Sequence, residues 1–187
     1  MNRWILSALI GTLAFACTTE PPSSGTLLPL VDQGFEIGRL ADRPTEGWYS
    51  DAARDGGIRV VRDTESFAHG RASLSVEVLR AATREGGTAS ISQVIELAGT
   101  AAADLEFSFD LRGESKEPVW LVACVWDEGV ARTIAWQKVA VRSEWARSAV
   151  RFSVPEDRRE VGLFVYFPAE AGSHVWVDGA RLERVRG

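Results

Sequence analysis

Leu105-Glu106-Phe107-Ser108-Phe109-Asp110-Leu111-Arg112 alternates large apolar with polar or charged side chains without a break. Successive side chains of a strand point to opposite faces. This period of two therefore predicts a strand with Leu105, Phe107, Phe109 and Leu111 in a core and Glu106, Ser108, Asp110 and Arg112 on the other face. The same reading extends in both directions. Ile58-Val60, Leu74-Val76-Val78, Ile91-Gln93-Ile95, Val119 to Trp126, Thr133 to Val141, Val150-Phe152-Val154, Val161 to Phe167 and Val175-Val177 all read as strands. Gly86-Gly87, Ala98-Gly99, Arg112-Gly113, Glu128-Gly129, Pro155-Glu156 and Gly172 punctuate them as turn material. Apart from a short helical turn that Ala101 to Asp104 allows, no stretch beyond residue 28 carries a long 3.6-residue apolar period. Many short strands with regular turns predict an all-β, antiparallel β-sandwich, and residues 29–187 are enough for one such domain.

The N-terminus has a different grammar. Arg3 precedes an apolar run from Trp4 to Phe15, broken by Ser7, Gly11 and Thr12, and then comes Ala16-Cys17. That is the layout of a secretory signal peptide over residues 1–16. A dozen residues at about 1.5 Å each do not cross a hydrocarbon core of about 30 Å. Leu13-Ala14-Phe15-Ala16-Cys17 reads as a lipobox that would acylate Cys17, and the alternative is that Ala14-Phe15-Ala16 is an ordinary signal-peptidase site. On the first reading residues 17–28, rich in Pro, Ser and Thr, are a lipid-anchored flexible tether, and the chain is a bacterial envelope lipoprotein. Thr18 stands after Cys17 where an Asp is absent, which is compatible with outer-membrane sorting. On the second reading the chain is secreted. With Cys17 acylated, Cys124 has no disulfide partner, and stability must come from the core.

With 26 acidic against 21 basic residues the formal charge is −5. Nucleic-acid binders carry basic surfaces, so that class is excluded. The Gly-x-Ser-x-Gly elbow, His-Glu-x-x-His, the phosphate loop and the dinucleotide fingerprint are all absent. His69 and His174, the only histidines, lie in turn-like and strand-edge contexts, and nothing selects one carboxylate pair for glycoside hydrolysis. The expectation is a protein that is not an enzyme.

A candidate ligand surface comes from one hairpin. Val119 to Trp126 and Arg132 to Val141 flank Asp127-Glu128-Gly129. Trp120, Val122, Cys124 and Trp126 share one parity, as do Arg132, Ile134, Trp136 and Lys138. Pairing Trp126 opposite Arg132 gathers three tryptophans with Arg132 and Lys138 on one face. The opposite face, with Val139 and Val141, is aliphatic and reads as core. Indole rings stack on the C–H faces of sugars while charged groups bond their hydroxyls, so such a face suits a polysaccharide or glycan. Asp110 and Arg112 add hydrogen bonds if their strand is a neighbour, and Tyr166 joins by parity. The alternative is that these tryptophans are core, since a slip of one residue moves the whole set to another face. Trp48, Trp145 and Trp176 read as packing residues.

Taken together, Gly34-Phe35-Glu36, Gly47-Trp48, Asp63, His69-Gly70-Arg71-Ala72-Ser73-Leu74, Ile91-Ser92-Gln93-Val94-Ile95, Phe107 to Gly113, Glu144-Trp145, Val154-Pro155 and Trp176-Val177-Asp178-Gly179 form an ordered series. This series resembles the carbohydrate-binding modules of the CenC type, which are galactose-binding-domain-like jelly rolls. The resemblance runs from about Leu30 to Leu182. It implies a jelly roll and a sugar ligand. It also implies a structural calcium (Ca2+) held by Glu36, Asp178 and backbone carbonyls around His69 to Ser73. The alternative for Glu36 and Asp178 is that they cap turns. The fold also serves adhesion and packing, so a structural or protein-interaction module without sugar affinity stands beside the binding reading.

Overall fold

The computed structural model describes residues 26–37, 39–54, 56–80, 89–97, 102–168 and 170–185. The expected signal peptide, Cys17 and most of the expected tether lie outside them. Ten strands follow in order: β1 (Thr26–Leu28), β2 (Ile58–Asp63), β3 (Ser73–Val78), β4 (Ser90–Glu96), β5 (Ala103–Glu114), β6 (Val119–Asp127), β7 (Val130–Val139), β8 (Ala146–Val154), β9 (Glu160–Tyr166) and β10 (His174–Arg184). One short helix, α1 (Asp51–Arg54), precedes β2. Among the described residues no helix is long and apolar enough to cross a membrane.

The strands pair antiparallel in two sheets. The first runs β2-β3-β10-β5-β8, with β1 also on β10, and the second runs β4-β9-β6-β7. Alternation decides which side chains meet between them. Leu105, Phe107 and Phe109 of β5 are fully buried, as are Val119, Leu121 and Ala123 of β6 and Val161, Leu163 and Val165 of β9, and all join one core. Each buried Phe contributes about 1.5–3 kcal/mol relative to exposure. Phe35 and Trp48 enter this core from the segment before α1, and their ring centroids are 5.4 Å apart. Gln93 points inward from β4 and takes over the role of a strand partner. Its amide accepts from Val31 N at 2.9 Å and donates to Val31 O at 3.1 Å. The β-sandwich expected from the alternation is the fold observed.

Two local expectations are corrected. Thr26–Leu28, assigned to the tether, pairs with Leu182 to Arg184 as β1 and so belongs to the first sheet. Three residues are too few to show a period. Ala103 and Asp104, assigned to a helical turn, instead open β5 opposite Val154 and Ser153.

Candidate functional site

The hairpin β6–β7 turns at Glu128 and Gly129, whose φ values of 49° and 81° are the left-handed pair that a two-residue hairpin loop demands. From this turn the register is read directly, and it corrects the expected pairing. Trp126 lies opposite Ala131, and Arg132 lies opposite Val125. The cause is a bulge: Ala123 pairs with Ala135 but Cys124 with Thr133, which leaves Ile134 as the extra residue. Arg132 is thereby rotated off the tryptophan face, and its guanidinium meets Asp127 at 3.2 Å. Past the bulge the expectation stands. Trp136 lies opposite Val122 and Lys138 opposite Trp120, on the outer side of the sheet.

Strand β9 extends this face. Tyr166 pairs with Trp120, and Phe164 pairs with Val122. Two rows therefore cross the sheet, Ser90-Tyr166-Trp120-Lys138 and Ser92-Phe164-Val122-Trp136. Tyr49 bridges to Ser92 at the far edge. The Phe164 and Tyr166 rings are stacked, 5.6 Å apart and 7° from parallel. The Trp120 and Trp136 centroids are 5.1 Å apart, and the Lys138 ammonium stands 5.4 Å from the Trp120 ring. Trp136 is 58 % exposed and Trp120 36 %. Val122 and Cys124 share this outward parity but are buried beneath the aromatic layer, and burial pushes the Cys124 thiol pKa up.

Gly162 explains how Trp126 joins the layer. A Cβ at this position would stand 2.5 Å from Trp126 Cη2 and 2.8 Å from Phe164 Cε2, so the indole lies directly over bare backbone. Phe164 and Gly162 were missed from sequence, although both share the parity of Tyr166, which was the available signal.

Asp110 and Arg112 do not join this face. Both belong to β5 in the first sheet, and parity alone does not say which sheet a polar face belongs to. Asp110 is buried, accepts Arg147 Nε at 3.3 Å and Nη2 more closely, and meets His69 Nε2 at 2.9 Å. Arg112 lies between Trp176, 4.8 Å from its ring, and Trp145, 5.9 Å away. His174 also stacks on Trp176, with centroids 3.9 Å apart. Trp176 Nε1 donates to Asp63 at 2.7 Å, and His174 Nε2 meets Ser75 Oγ at 2.6 Å. Burial pulls the Asp63 pKa upward, but the bonds from Trp176 and from the Glu65 and Ser66 amides outweigh it and hold the carboxyl below its ordinary value.

Glu36 and Asp178 do converge on the segment 68–71, but their neighbours are hydrogen donors. Asp178 Oδ2 accepts from Ala68 N at 2.8 Å and His69 N at 2.7 Å, and Oδ1 accepts from Gly179 N at 2.6 Å. Glu36 Oε1 accepts from Arg71 N at 2.7 Å, and its Oε2 faces Arg62 at 3.6 Å. Calcium takes six to eight oxygen ligands, whereas these carboxylates are surrounded by N–H groups, and no cluster of three metal-ligating side chains occurs among the described residues. The donor set fits capped turns rather than calcium. Burial raises the Asp178 pKa, with the three amides opposing it only in part.

No protein-family model matches the chain, and no curated protein matches it. Solved structures do. A CBM4 structure superposes with a TM-score of 0.62 at 14% identity, over 83% of this chain and 99% of its own. The xylan-binding CBM22-1 domain of Paenibacillus barcinonensis Xyn10C gives 0.56 at 14% identity, over 89% and 99%. TmCBM61, solved with β-1,4-galactotriose, gives 0.50 at 22% identity, over 83% and 97%. Identities this low speak to architecture alone, and the chain is by that measure an antiparallel jelly-roll sandwich of the kind found in carbohydrate-binding modules.

Proposed function

We propose that the chain is a non-catalytic module that binds a polysaccharide or glycan on the outer face of β4-β9-β6-β7, and that an acylated Cys17 tethers it to the bacterial envelope. The observation that carries the binding reading is the Trp120–Trp136 pair, held on adjacent strands and exposed at 36 % and 58 %. Large apolar rings left in water on a rigid sheet offer a ready stacking surface, and pyranose C–H faces match it. Phe164, Tyr166 and Trp126 extend the platform, while Lys138 and Ser90 supply polar groups at its edges. The structures with similar folds whose descriptions name xylan and galactotriose support the sugar class. The lipid anchor rests on the Leu13 to Cys17 sequence and on the polar segment that follows it.

The test is affinity electrophoresis of the purified chain against a panel of soluble polysaccharides, with pull-down on insoluble ones. Trp136→Ala should weaken the retaining interaction by about thirtyfold, as truncation of an anchoring aromatic costs about 2 kcal/mol. Its melting temperature should stay at the wild-type value because the ring is mostly in water. A folded wild type retained by no polysaccharide overturns the proposal and leaves the exposed tryptophans to a protein partner.

A further inference from the structure

The long side of the sandwich between β7 and β8 is open. These are the last strands of their respective sheets, and the chain crosses from one to the other through residues 140–145. Two clefts of about 620 and 360 Å³ lie along this side and adjoin at Gln137 and Ala149, the two halves of a groove interrupted by these residues. Trp136 lines its first half together with the Glu106–Arg151 ion pair. The second half is lined by Lys138, Arg142 and Arg147 and by no acidic residue.

The three cations are not equivalent. Arg147 is spent on Asp110, Ser108 Oγ and the Gly179 carbonyl. Lys138 and Arg142 form no ion pair with a carboxylate among the described residues. In a chain with formal charge −5, this second half stands out, since it holds two uncompensated cations and no acid. Lys138 also belongs to the aromatic face, 5.4 Å from the Trp120 ring. The aromatic face and the second half of the groove therefore meet at Lys138.

We propose that this groove binds the carboxylates of an acidic, uronate-containing polysaccharide, with Arg142 and Lys138 as its anion contacts. The inference rests on the carbohydrate reading of the tryptophan face. Arginine suits the role because its planar fork meets a carboxylate through two parallel bonds. A single-stranded nucleic acid offers a comparable anion density together with stacking bases, so it is the control that separates carboxylate recognition from attraction to any polyanion.

The experiment compares polygalacturonate with its methyl-esterified form, which keeps the rings and removes the charge, and with single-stranded DNA. The wild type should bind polygalacturonate more tightly than the ester, with affinity falling as salt rises. Arg142→Gln should lose about tenfold toward polygalacturonate and nothing toward the ester, since a charge-assisted bond is worth about that factor. Lys138→Gln should weaken polygalacturonate binding as well, and Trp136→Ala should weaken both polymers. An Arg142→Gln variant that binds polygalacturonate like the wild type overturns the inference, as does a wild type that prefers the ester or binds DNA equally well. Retention of the ester alone leaves the tryptophan platform standing, whereas retention of neither polymer nor of any neutral glycan removes both.

Discussion

The two outer faces of the sandwich are built from the same residue types and behave differently. On the first sheet, Trp145, Arg112, Trp176 and His174 stack in one ladder, and Asp63 and Ser75 take up the Trp176 and His174 nitrogens. On the second sheet Trp120 and Trp136 meet each other at an angle of 44°, and Trp136 remains mostly in water. In the ladder each ring covers the next, so a ligand would have to displace an internal partner before it gained a contact. On the platform Lys138 and Trp136 both lean on Trp120, but more than half of Trp136 stays in water. Aromatic density along a strand therefore does not by itself set the two faces apart; the ring area left in water does.

The contrast can be broken from either side. The largest effect is expected for Trp176→Ala, which removes the middle of the ladder and its bond to Asp63. Half burial of the ring sets the cost at about 2 kcal/mol, roughly half that of a core aromatic, measured by urea unfolding, with polysaccharide retention unchanged. Loss of retention in that variant would show that the ladder, too, is a site. Gly162→Ala tests the platform without touching an aromatic residue. Its Cβ pushes the Trp126 indole off the sheet, and retention should weaken by roughly three- to tenfold, the range of about 1 kcal/mol, at little change in melting temperature.

A smaller effect sharpens the electrostatics of the ladder. Because the folded pKa of Asp63 lies below its unfolded value, its stabilisation is present above about pH 4 and is lost as pH falls through the folded pKa. Trp176→Phe keeps a ring and deletes the N–H donor. The stability gap between wild type and this variant should narrow as pH drops below about 4, and a gap independent of pH would mean that the bond does not set the Asp63 pKa. The smallest effect concerns the loop that joins the two ends of the chain. Calcium or chelator should leave the melting temperature unchanged, since Asp178 and Glu36 already hold segment 68–71 through amide donors. A rise of several degrees with calcium would show that those carboxylates reorganise around a cation.

The fold was legible because burial imposes alternation. In β5, β6 and β9 nearly every inward position is apolar, so period two alone identifies the strand and its core face. The site was legible only in part. Trp120, Trp136, Lys138 and Tyr166 fall on one outer face as expected because the register past the bulge follows simple parity. Arg132 was misplaced because one extra residue, Ile134, inverts every side chain between it and the turn, and nothing in the composition of β7 announces the insertion. Asp110 and Arg112 were misassigned for a different reason. Alternation reports the face of a strand, and membership of a sheet depends on pairings distant in sequence.

The bulge that displaces Arg132 also bears on how copies of the protein avoid one another. Strand β7 ends its sheet, and a straight, apolar edge of that length is a template on which a second chain adds itself as the next strand. An unpaired residue in the middle interrupts the spacing of donors and acceptors and adds local twist, while Arg132 and Lys138 bring repelling charges from an identical neighbour. Strand-by-strand fusion is thereby discouraged at the very edge that borders the groove, so crowded copies can sit side by side and still part as separate units.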